Sequence, residues 1–395
     1  MNNTIKLAVA SALLAAASSA SAAGGIVAGD WTLDIGGVVN TYYTQSKVKG
    51  DAVTNFGGTT STGTSSVSNI TTGLLPNYLT VSGKTRQNDL DVTFLISINP
   101  GSSTTGSGKQ SAQQENRQAF LTFGDASWGS IKLGKDIGIY AQDAILNDMT
   151  LLGVGSAAGA LAGNTTTLGR IGTGFMYADW KSQVAYTSPN FNGFQFTAGV
   201  TQAFDPASVL DGGTGAYPRG GKEPAYEGKA SYSFAGDVSG KVWVSGISQN
   251  VQSENQTSTA WDIGTTVSAA GFGATAYYGE GKGLGTAVQF NAAYDAAGDK
   301  RDSKDWYVQG TYTLPGVGTK LGVSYGESKL QGAGVTDSDF GSNDLKDTMW
   351  VVGAYHPLTK HLNLVAEYSD AESKITGGTA KGTAKTVSLG AILFF

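Results

Sequence analysis

Apolar and polar residues alternate one by one through many segments of this chain. In residues 90–98 apolar side chains occupy every even position, and Asp91, Thr93 and Ser97 stand between them. The same alternation recurs in residues 31–40, 226–234 and 306–314. A period of two places successive side chains on opposite faces of a β-strand, so each segment predicts a strand with one apolar and one polar face.

The connections between these segments are alternately short and long. The short ones are residues 86–88, 124–129, 188–193, 235–237, 270–271, 315–319 and 357–361. The long, polar ones are residues 45–76, 100–114, 137–179, 205–223, 279–305 and 330–346. Short turns at one end and long loops at the other are typical of transmembrane β-barrels, whose short turns face the periplasm. The pattern predicts an all-β, antiparallel transmembrane barrel of 16 strands that ends at Phe395.

Residues 286–297 can be interpreted either as part of a long loop or as a further strand. Phe290, Ala292 and Tyr294 alternate as a strand would. A seventeenth strand would break the even count that returns both termini to the same side of the membrane. We therefore assign these residues to a loop.

The first 22 residues have the features of a signal peptide. Lys6 precedes an apolar stretch, residues 7–17, and the small residues Ala20, Ser21 and Ala22 follow it as a cleavage site would. The stretch is shorter than the ~20 apolar residues that a membrane-spanning helix needs. We expect residues 23–395 to form one barrel domain, because no change of composition divides them.

The overall charge argues against one class of partner. The chain has 26 basic and 31 acidic residues, a formal net charge of −5. A nucleic-acid-binding protein is usually basic, so no nucleic-acid partner is expected. The chain has no cysteine, so backbone pairing and packing, rather than disulfides, must stabilise it.

Several stretches resemble the general, trimeric porins of the Gram-negative outer membrane. Residues 116–140 are similar to the strand pair that leads into the family's constriction loop. Residues 169–172, 182–189 and 191–194 are similar to the return from that loop. Residues 355–360 resemble the penultimate periplasmic turn, and residues 389–395 resemble the terminal strand.

The resemblance implies a function and a setting. It implies a water-filled channel in the outer membrane through which ions and small hydrophilic solutes diffuse passively. It also implies a homotrimer in contact with outer-membrane lipids. The terminal aromatic residue, Phe395, would be the signal recognised by the outer-membrane assembly machinery. No cofactor is expected.

The resemblance also implies an inward-folded loop that narrows the channel. Residues 143–169 would form it, with Asp143 and Asp148 as its acidic side chains. Leu152 stands where the family pattern suggests a second acidic residue, so the acidic character of the loop is reduced.

The basic side of the constriction is implied in the same way. The resemblance places Lys135 and Arg170 on the family's basic wall, facing Asp148, and Lys84 and Arg86 are further candidates. Strand parity gives a different answer at one position. If the apolar residues of 131–133 face lipid, Lys132 rather than Lys135 points into the lumen, and the two alternatives stay open.

Two motifs raise the alternative of an outer-membrane enzyme. Residues 322–326 match the G-x-S-x-G pattern of a serine nucleophile, but they lie within an alternating strand and no helical pattern follows. His356 and His361 flank a short turn without the cysteines or carboxylates of a metal site, so no metal is expected. A substrate-specific channel is the other alternative, and it would need aromatic side chains along the constriction.

Overall fold

The structure is a computed structural model. It describes residues 25–51, 63–102, 114–156, 166–167, 169–170, 173, 175–176, 178–203, 223–251, 255–286, 292–335, 337 and 341–395. The expected signal peptide, residues 1–22, lies outside the described residues.

Antiparallel strands make up most of the described chain. They are β1 Ile26–Ala28, β2 Trp31–Gly50, β3 Gly63–Thr71, β4 Tyr78–Gln87, β5 Leu90–Ile98, β6 Ala119–Asp125, β7 Gly129–Ile137, β8 Trp180–Thr187, β9 Phe194–Thr201, β10 Ala225–Phe234, β11 Ser239–Val251, β12 Gln256–Ala269, β13 Phe272–Lys282, β14 Asp302–Thr313, β15 Lys320–Gln331, β16 Asp344–Pro357, β17 Leu362–Ile375 and β18 Lys381–Phe394. The described helices are the α-helix α1, Gln142–Leu146, and a 3-10 helix, Met149–Leu152. No helix among the described residues is long and apolar enough to span a membrane.

These segments form one closed barrel of 16 strands. Each strand from β4 to β18 pairs with the next along the chain, and β18 pairs with β2 to close the ring. Strands β3 and β4 both pair with β2 and form the two halves of one barrel strand. Strand β1 pairs with residues 31–33 of β2 and extends the edge occupied by β18. The predicted 16-strand antiparallel barrel is therefore confirmed.

The connection from β13 to β14 resolves the uncertainty over residues 286–297. Strands β13 and β14 pair directly with each other, from Phe272 with Tyr312 to Lys282 with Asp302. No strand can lie between them. The described residues of this connection form a loop that contains an isolated bridge between Tyr294 and Lys300.

The outer face of the barrel is apolar and exposed. Val323 and Leu389 are 55% and 52% accessible, whereas the residues beside them in each strand, such as Ser324 and Ser388, are buried on the inner face. Lipid offers no hydrogen bonds, so a strand can cross it only where every backbone group is paired, as closure of the barrel ensures. The inner face then carries the polar side chains.

The chain terminus completes the seam between β18 and β2. Phe395 donates its N–H to Gly37 O at 3.1 Å and accepts the Gly37 N–H at 2.9 Å. Its side chain continues the exposed outer face formed by Val387, Leu389 and Leu393. A Cβ at Gly37 would lie 2.7 Å from the Phe395 ring, so the aromatic side chain packs directly over the glycine.

We expect deletion of Phe395 to weaken closure of the barrel. The deletion removes two backbone hydrogen bonds at the seam, each contributing about 1 kcal/mol net, together with an aromatic side chain on the lipid face. The temperature at which the folded band converts to the unfolded band on a gel should fall by several degrees. Phe395→Tyr keeps both bonds and the ring and should behave as the wild type. Equal conversion temperatures for the deletion and the wild type would contradict this role.

Candidate pore constriction

The described residues of the long connection between β7 and β8, which are 138–156, 166–167, 169–170, 173, 175–176 and 178–179, lie inside the barrel. The connection contains α1 and the 3-10 helix, and many of its described side chains are buried. Phe175 packs against the inward rings of Tyr277 and Tyr307, with centroid distances of 6.3 and 6.0 Å. Trp243, Ala144 and Leu151 belong to the same buried cluster. The lumen is thus filled on one side by a packed core.

Glu367 on β17 holds one part of this loop by its backbone. Its Oε2 accepts the N–H groups of Val154 and Gly155, both at 2.8 Å, and its Oε1 accepts the hydroxyl of Tyr355 at 2.7 Å. A Cβ at Gly153 would lie 2.1 Å from Oε1, so only glycine allows this close approach. A buried carboxylate is stable only with such donors, and the loop amides supply them.

Glu227 on β10 binds the start of the loop in the same manner. Its Oε2 accepts the N–H groups of Ile139 and Tyr140 at 2.7 and 2.8 Å. Its Oε1 accepts Lys181 Nζ at 2.7 Å and the Thr201 hydroxyl at 2.8 Å. Both oxygens of this buried side chain are therefore satisfied, one by the loop and one by the wall.

A single rung of cross-strand partners continues these contacts around the inner wall. From β11 to β16 it consists of Ser245, Asp262, Gly279, Asp305, Ser328 and Asp347. Ser245 Oγ accepts the Ala141 N–H at 3.1 Å, and Asp305 Oδ2 accepts the Met176 N–H at 2.7 Å. Ser328 donates to Thr173 O at 2.6 Å. We call Glu227, Asp305 and Glu367 the wall carboxylates. No local sequence pattern pointed to them.

Asp143, predicted as an acidic side chain of the constriction, is buried against the wall. It lies 3.0 Å from Lys229 Nζ on β10 and 2.5 Å from Lys241 Nζ on β11, and its residue is 1% accessible. Burial disfavours the charged carboxylate, but the two ammonium groups outweigh it, so the pKa of Asp143 lies below its ordinary value. The acid neutralises two lysines and docks α1 on the wall.

Asp148 caps the 3-10 helix with its side chain and lies close enough to Arg170 to interact with its charge. Its Oδ1 accepts the Thr150 N–H at 3.0 Å, and its Oδ2 accepts the Thr150 hydroxyl at 2.7 Å. The side chain is 4% accessible. Its hydrogen bonds are those of an N-terminal cap, which stabilises the local turn of the loop.

Arg170 is part of the inward loop and is fully buried. Its Nη1 donates to Met349 O at 2.9 Å and its Nη2 donates to Ser324 Oγ at 2.8 Å, while the guanidinium lies over the Tyr307 ring. It therefore shares the loop with Asp148, which differs from the expected arrangement across a gap. The side chain fastens the loop to β15 and β16.

The same contact bears on the G-x-S-x-G motif. Ser324 lies in the middle of β15, and its Oγ is occupied by Arg170 and directed toward Val308 O. His356 is five residues along β16 from Val351, the cross-strand partner of Ser324, and its Nδ1 lies 2.8 Å from Thr319 Oγ1. The geometry of an activated serine is not found at this position.

The register distinguishes Lys132 from Lys135. Lys132 pairs with Ala185, which is buried on the inner face, whereas Lys135 pairs with the exposed Ser182 on the outer face. Lys132 forms an ion pair with Asp136 and lies over the Phe120 ring at 4.7 Å. The structure thus places Lys132 inward and Lys135 on the outer face near the rim.

Lys84 lies on the same inner rung as Lys132. The rung runs through Lys84, Thr93, Thr122 and Lys132, and the two threonine hydroxyls are 2.6 Å apart. Three strand spacings of about 4.8 Å separate the two lysines. Lys84 is exposed and makes no ion pair within the described part of the chain.

Arg86 lies two residues beyond Lys84, at the short-turn end of β4. It binds Asp91 at 2.8 Å and Asp125 at 3.1 Å, and half of its side chain is accessible. It is therefore at the mouth of the barrel, below the level of the inward loop.

Accessibility divides the inner wall into two sides. The inward residues of β11 and β15 are largely buried under the loop, whereas Ser82, Lys84, Thr93, Thr122 and Lys132 remain partly or fully accessible. The accessible inward residues of this region therefore lie in the short-turn halves of β4 to β7.

Arg117, which sequence reasoning did not single out, joins the loop to the accessible side. Its Nε donates to Glu115 at 2.6 Å, its Nη2 donates to Thr166 Oγ1 at 3.2 Å, and its guanidinium lies over the Trp180 ring. Arg117 lies within the porin-like stretch 116–140, and that resemblance is the feature of the sequence that could have identified it.

Comparison with solved structures gives the same architecture. The chain is similar to the outer membrane channel DcaP of Acinetobacter baumannii, with 16% identity, a TM-score of 0.68, and coverage of 94% of this chain and 100% of that one. It is also similar to an anion-selective porin from Comamonas acidovorans, with 15% identity, a TM-score of 0.59, and coverage of 92% and 100%. A third similar structure is Salmonella typhi OmpF in complex with daunomycin, with 16% identity, a TM-score of 0.56, and coverage of 92% and 99%.

The sequence itself supplies the family. No curated protein sequence matches the chain. A family model described as Gram-negative porin matches residues 8–376, which is nearly the whole chain. Together with the closed 16-strand barrel and the loop folded into its lumen, this match shows that the chain belongs to the Gram-negative porins, outer-membrane channels for passive diffusion of solutes.

Proposed function

We propose that solutes cross this porin through an off-centre passage that runs along the inner face of strands β4 to β7. The observation that carries the proposal is the accessibility of Ser82, Lys84, Thr93, Thr122 and Lys132 on the inner face, whereas the inward residues of β11 and β15 are largely buried under the loop. Polar side chains line the accessible side, as a hydrated passage for small hydrophilic solutes requires. The rung from Lys84 to Lys132 is its basic element.

The charges along this passage are close to balanced. Lys132 is paired with Asp136, and Arg86 is paired with Asp91 and Asp125. Lys84 is the basic side chain of this rung without an ion pair in the described region. Asp34, the cross-strand partner of the inward Ser82, stands beside this rung and makes no ion pair among the described residues either. We infer a general diffusion channel with little preference between anions and cations. The buried aromatics Trp243, Tyr277 and Tyr307 are covered by the loop, so they do not support a substrate track.

We propose a homotrimer and a mature chain that begins after residue 22. Support for the trimer comes from the family and from a similar structure, OmpT of Vibrio cholerae in its trimer form, at 14% identity and a TM-score of 0.54, with coverage of 92% of this chain and 99% of that one. Support for the cleavage comes from the residues around Ala22.

Planar-bilayer recording tests the passage and the trimer together. Purified, refolded protein should insert in single steps, and at high voltage each step should close in three equal sublevels. Insertion steps that do not close in three equal conductance sublevels would contradict the trimer. A folded protein that stays electrically silent would contradict an open passage.

We expect replacement of the inward lysines to change ion selectivity. Lys132→Glu places two carboxylates side by side, and Lys84→Glu reverses the unpaired charge on the rung. Each variant should move the zero-current potential in a KCl gradient toward cation preference. Lys135→Glu makes the same charge change on the outer face and should leave the potential close to that of the wild type. If all three variants give the wild-type potential, the passage lies elsewhere.

We expect the wall carboxylates to control how steadily the channel stays open. Glu367→Gln replaces an acceptor of two loop N–H groups with an amide, which weakens charge-assisted bonds that each contribute about 1.5–3 kcal/mol. Residues 153–155 should then leave the wall more often, so single-channel current noise and brief closures should increase several-fold. Glu372→Gln is the matched control, because it makes the same change on the outer face of the same strand. If the current noise of Glu367→Gln equals that of the wild type, the hydrogen bonds of Glu367 do not set the position of the loop.

A further inference from the structure

A recess opens in the inner wall below the inward loop, at the short-turn ends of β12 to β15. Its volume is about 320 Å³, and residues 146–149 and 151–152 of the loop form one side of it. The strand residues on the other side include Thr266, Ser268, Gly273, Thr275, Thr311 and Lys320. The recess lies on the opposite side of the barrel from the rung of Lys84 and Lys132, so the passage along that rung does not account for it.

Two glycines beside Thr311 create the space of the recess. Gly273 on β13 and Gly322 on β15 are the direct cross-strand partners of Thr311 on β14. A Cβ at Gly273 would lie 2.6 Å from Thr311 Oγ1, and a Cβ at Gly322 would lie 2.8 Å from Met149 Sδ of the loop. Because both positions lack side chains, the wall leaves room around the Thr311 hydroxyl. That hydroxyl makes no hydrogen bond with any described residue.

Lys320 supplies a positive charge at the periplasmic edge of the recess. It lies two residues from Gly322 on the inner face of β15, so it is a diagonal neighbour of Thr311. Its ammonium group lies over the Tyr355 ring, 5.0 Å from the centroid, and forms no ion pair within the described chain. The side chain is partly accessible. A lysine at membrane depth without a carboxylate partner typically marks the path of a solute or an ion.

One other charged residue lines the recess among those that the structure describes, and its charge is already compensated. This residue is Asp148, which accepts two hydrogen bonds from Thr150 and lies close enough to Arg170 for their charges to interact. Lys320 therefore carries the charge that still lacks an opposite partner in this part of the lumen. The recess favours an anion.

We propose that the recess binds small hydroxylated carboxylates, such as sugar acids, with the carboxylate on the ammonium group of Lys320. Hydroxyl groups of the ligand bond with Thr311 and with Thr266, whose own proton stays available because Thr266 accepts the Thr275 hydroxyl at 3.3 Å. Diagonal neighbours on paired strands are about 7–8 Å apart, a span that one sugar acid covers. The apolar loop side chains cover its C–H groups, as in most ligand pockets.

The inference rests on the proposed function, because a ligand reaches the recess through the water-filled lumen. The recess differs from the passage in what it does with a solute. Along β4 to β7 the charges are paired or isolated on an open wall, whereas the recess combines one unpaired ammonium group with hydroxyl groups in a confined space. It would hold one class of solute beside a route that is open to many.

Equilibrium binding of D-gluconate to the purified, refolded porin in detergent tests the inference. Sorbitol is the neutral probe, because it has a hydroxymethyl group in place of the carboxylate. Saturation-transfer NMR measures both affinities without any current through the channel. The wild type should bind gluconate about ten-fold or more tighter than sorbitol, and Lys320→Gln should weaken gluconate binding about ten-fold, since a hydrogen bond to a charged group is lost. Thr311→Val should weaken gluconate binding about five-fold, the effect of one neutral hydrogen bond.

Two further variants separate the site from general electrostatic attraction. Lys320→Arg keeps the charge and should bind gluconate within about three-fold of the wild type. Lys360→Gln is the matched control, because it removes one positive charge from the turn before β17 at the same mouth of the barrel, and it should bind gluconate as the wild type does. All variants should show the heat-modifiable band of a folded barrel.

Equal gluconate affinity of Lys320→Gln and the wild type would overturn the inference. So would equal affinity of the wild type for gluconate and sorbitol, or displacement of gluconate by an equal concentration of acetate, which carries the charge without the hydroxyl groups. A conducting channel that binds no gluconate would contradict this inference alone. Gluconate binding by a folded but electrically silent protein would support the recess and contradict the passage.

Discussion

The position of the inward loop depends on hydrogen bonds that its backbone N–H groups donate to buried wall carboxylates. A carboxylate inside a barrel is costly unless donors surround it, and a loop that leaves the strand ladder has amides without partners. Glu227 and Glu367 each accept two consecutive loop N–H groups, which satisfies both requirements at once. Because the carboxylates stand on rigid strands, the path of the loop is fixed by the sheet.

This arrangement gives the lumen two different characters. Toward β10 to β17 the inward residues pack against the loop as in the core of a soluble protein, with Trp243 and Tyr307 fully buried. In the short-turn halves of β4 to β7 the inward residues, such as Ser82, Lys84 and Lys132, are polar and stay accessible. Two charged residues lie on the packed side. Asp143 binds Lys229 and Lys241, and Arg170 binds strands β15 and β16. Charge in this porin therefore also serves to anchor the loop.

The sequence predicted the architecture well because alternation and loop length are local properties. They gave 16 strands, the closure and the long connection between β7 and β8. Strand parity raised Lys132 as an alternative to Lys135, and the part of either lysine in the constriction stays a prediction. The contacts of the loop could not be predicted in this way. Glu367 lies 213 positions from Val154, and no spacing connects them before the barrel closes. Arg170 and Asp148 were expected to face each other, but both lie on the loop, and their partners are set by the path of its backbone.

Because part of the lumen is filled by the loop, the circumference of the barrel and the width of its passage are set by different features. In a hollow cylinder the circumference would set both. The number of strands fixes the circumference of the barrel and its lipid-facing surface, whereas the thickness of the inward layer fixes the bore. Residues such as Gly153 set that thickness, since the loop approaches the wall only where no side chain intervenes. A few substitutions in one segment can therefore widen or narrow the passage while the surface that must insert into the membrane stays the same. Permeability and assembly can then evolve independently of each other.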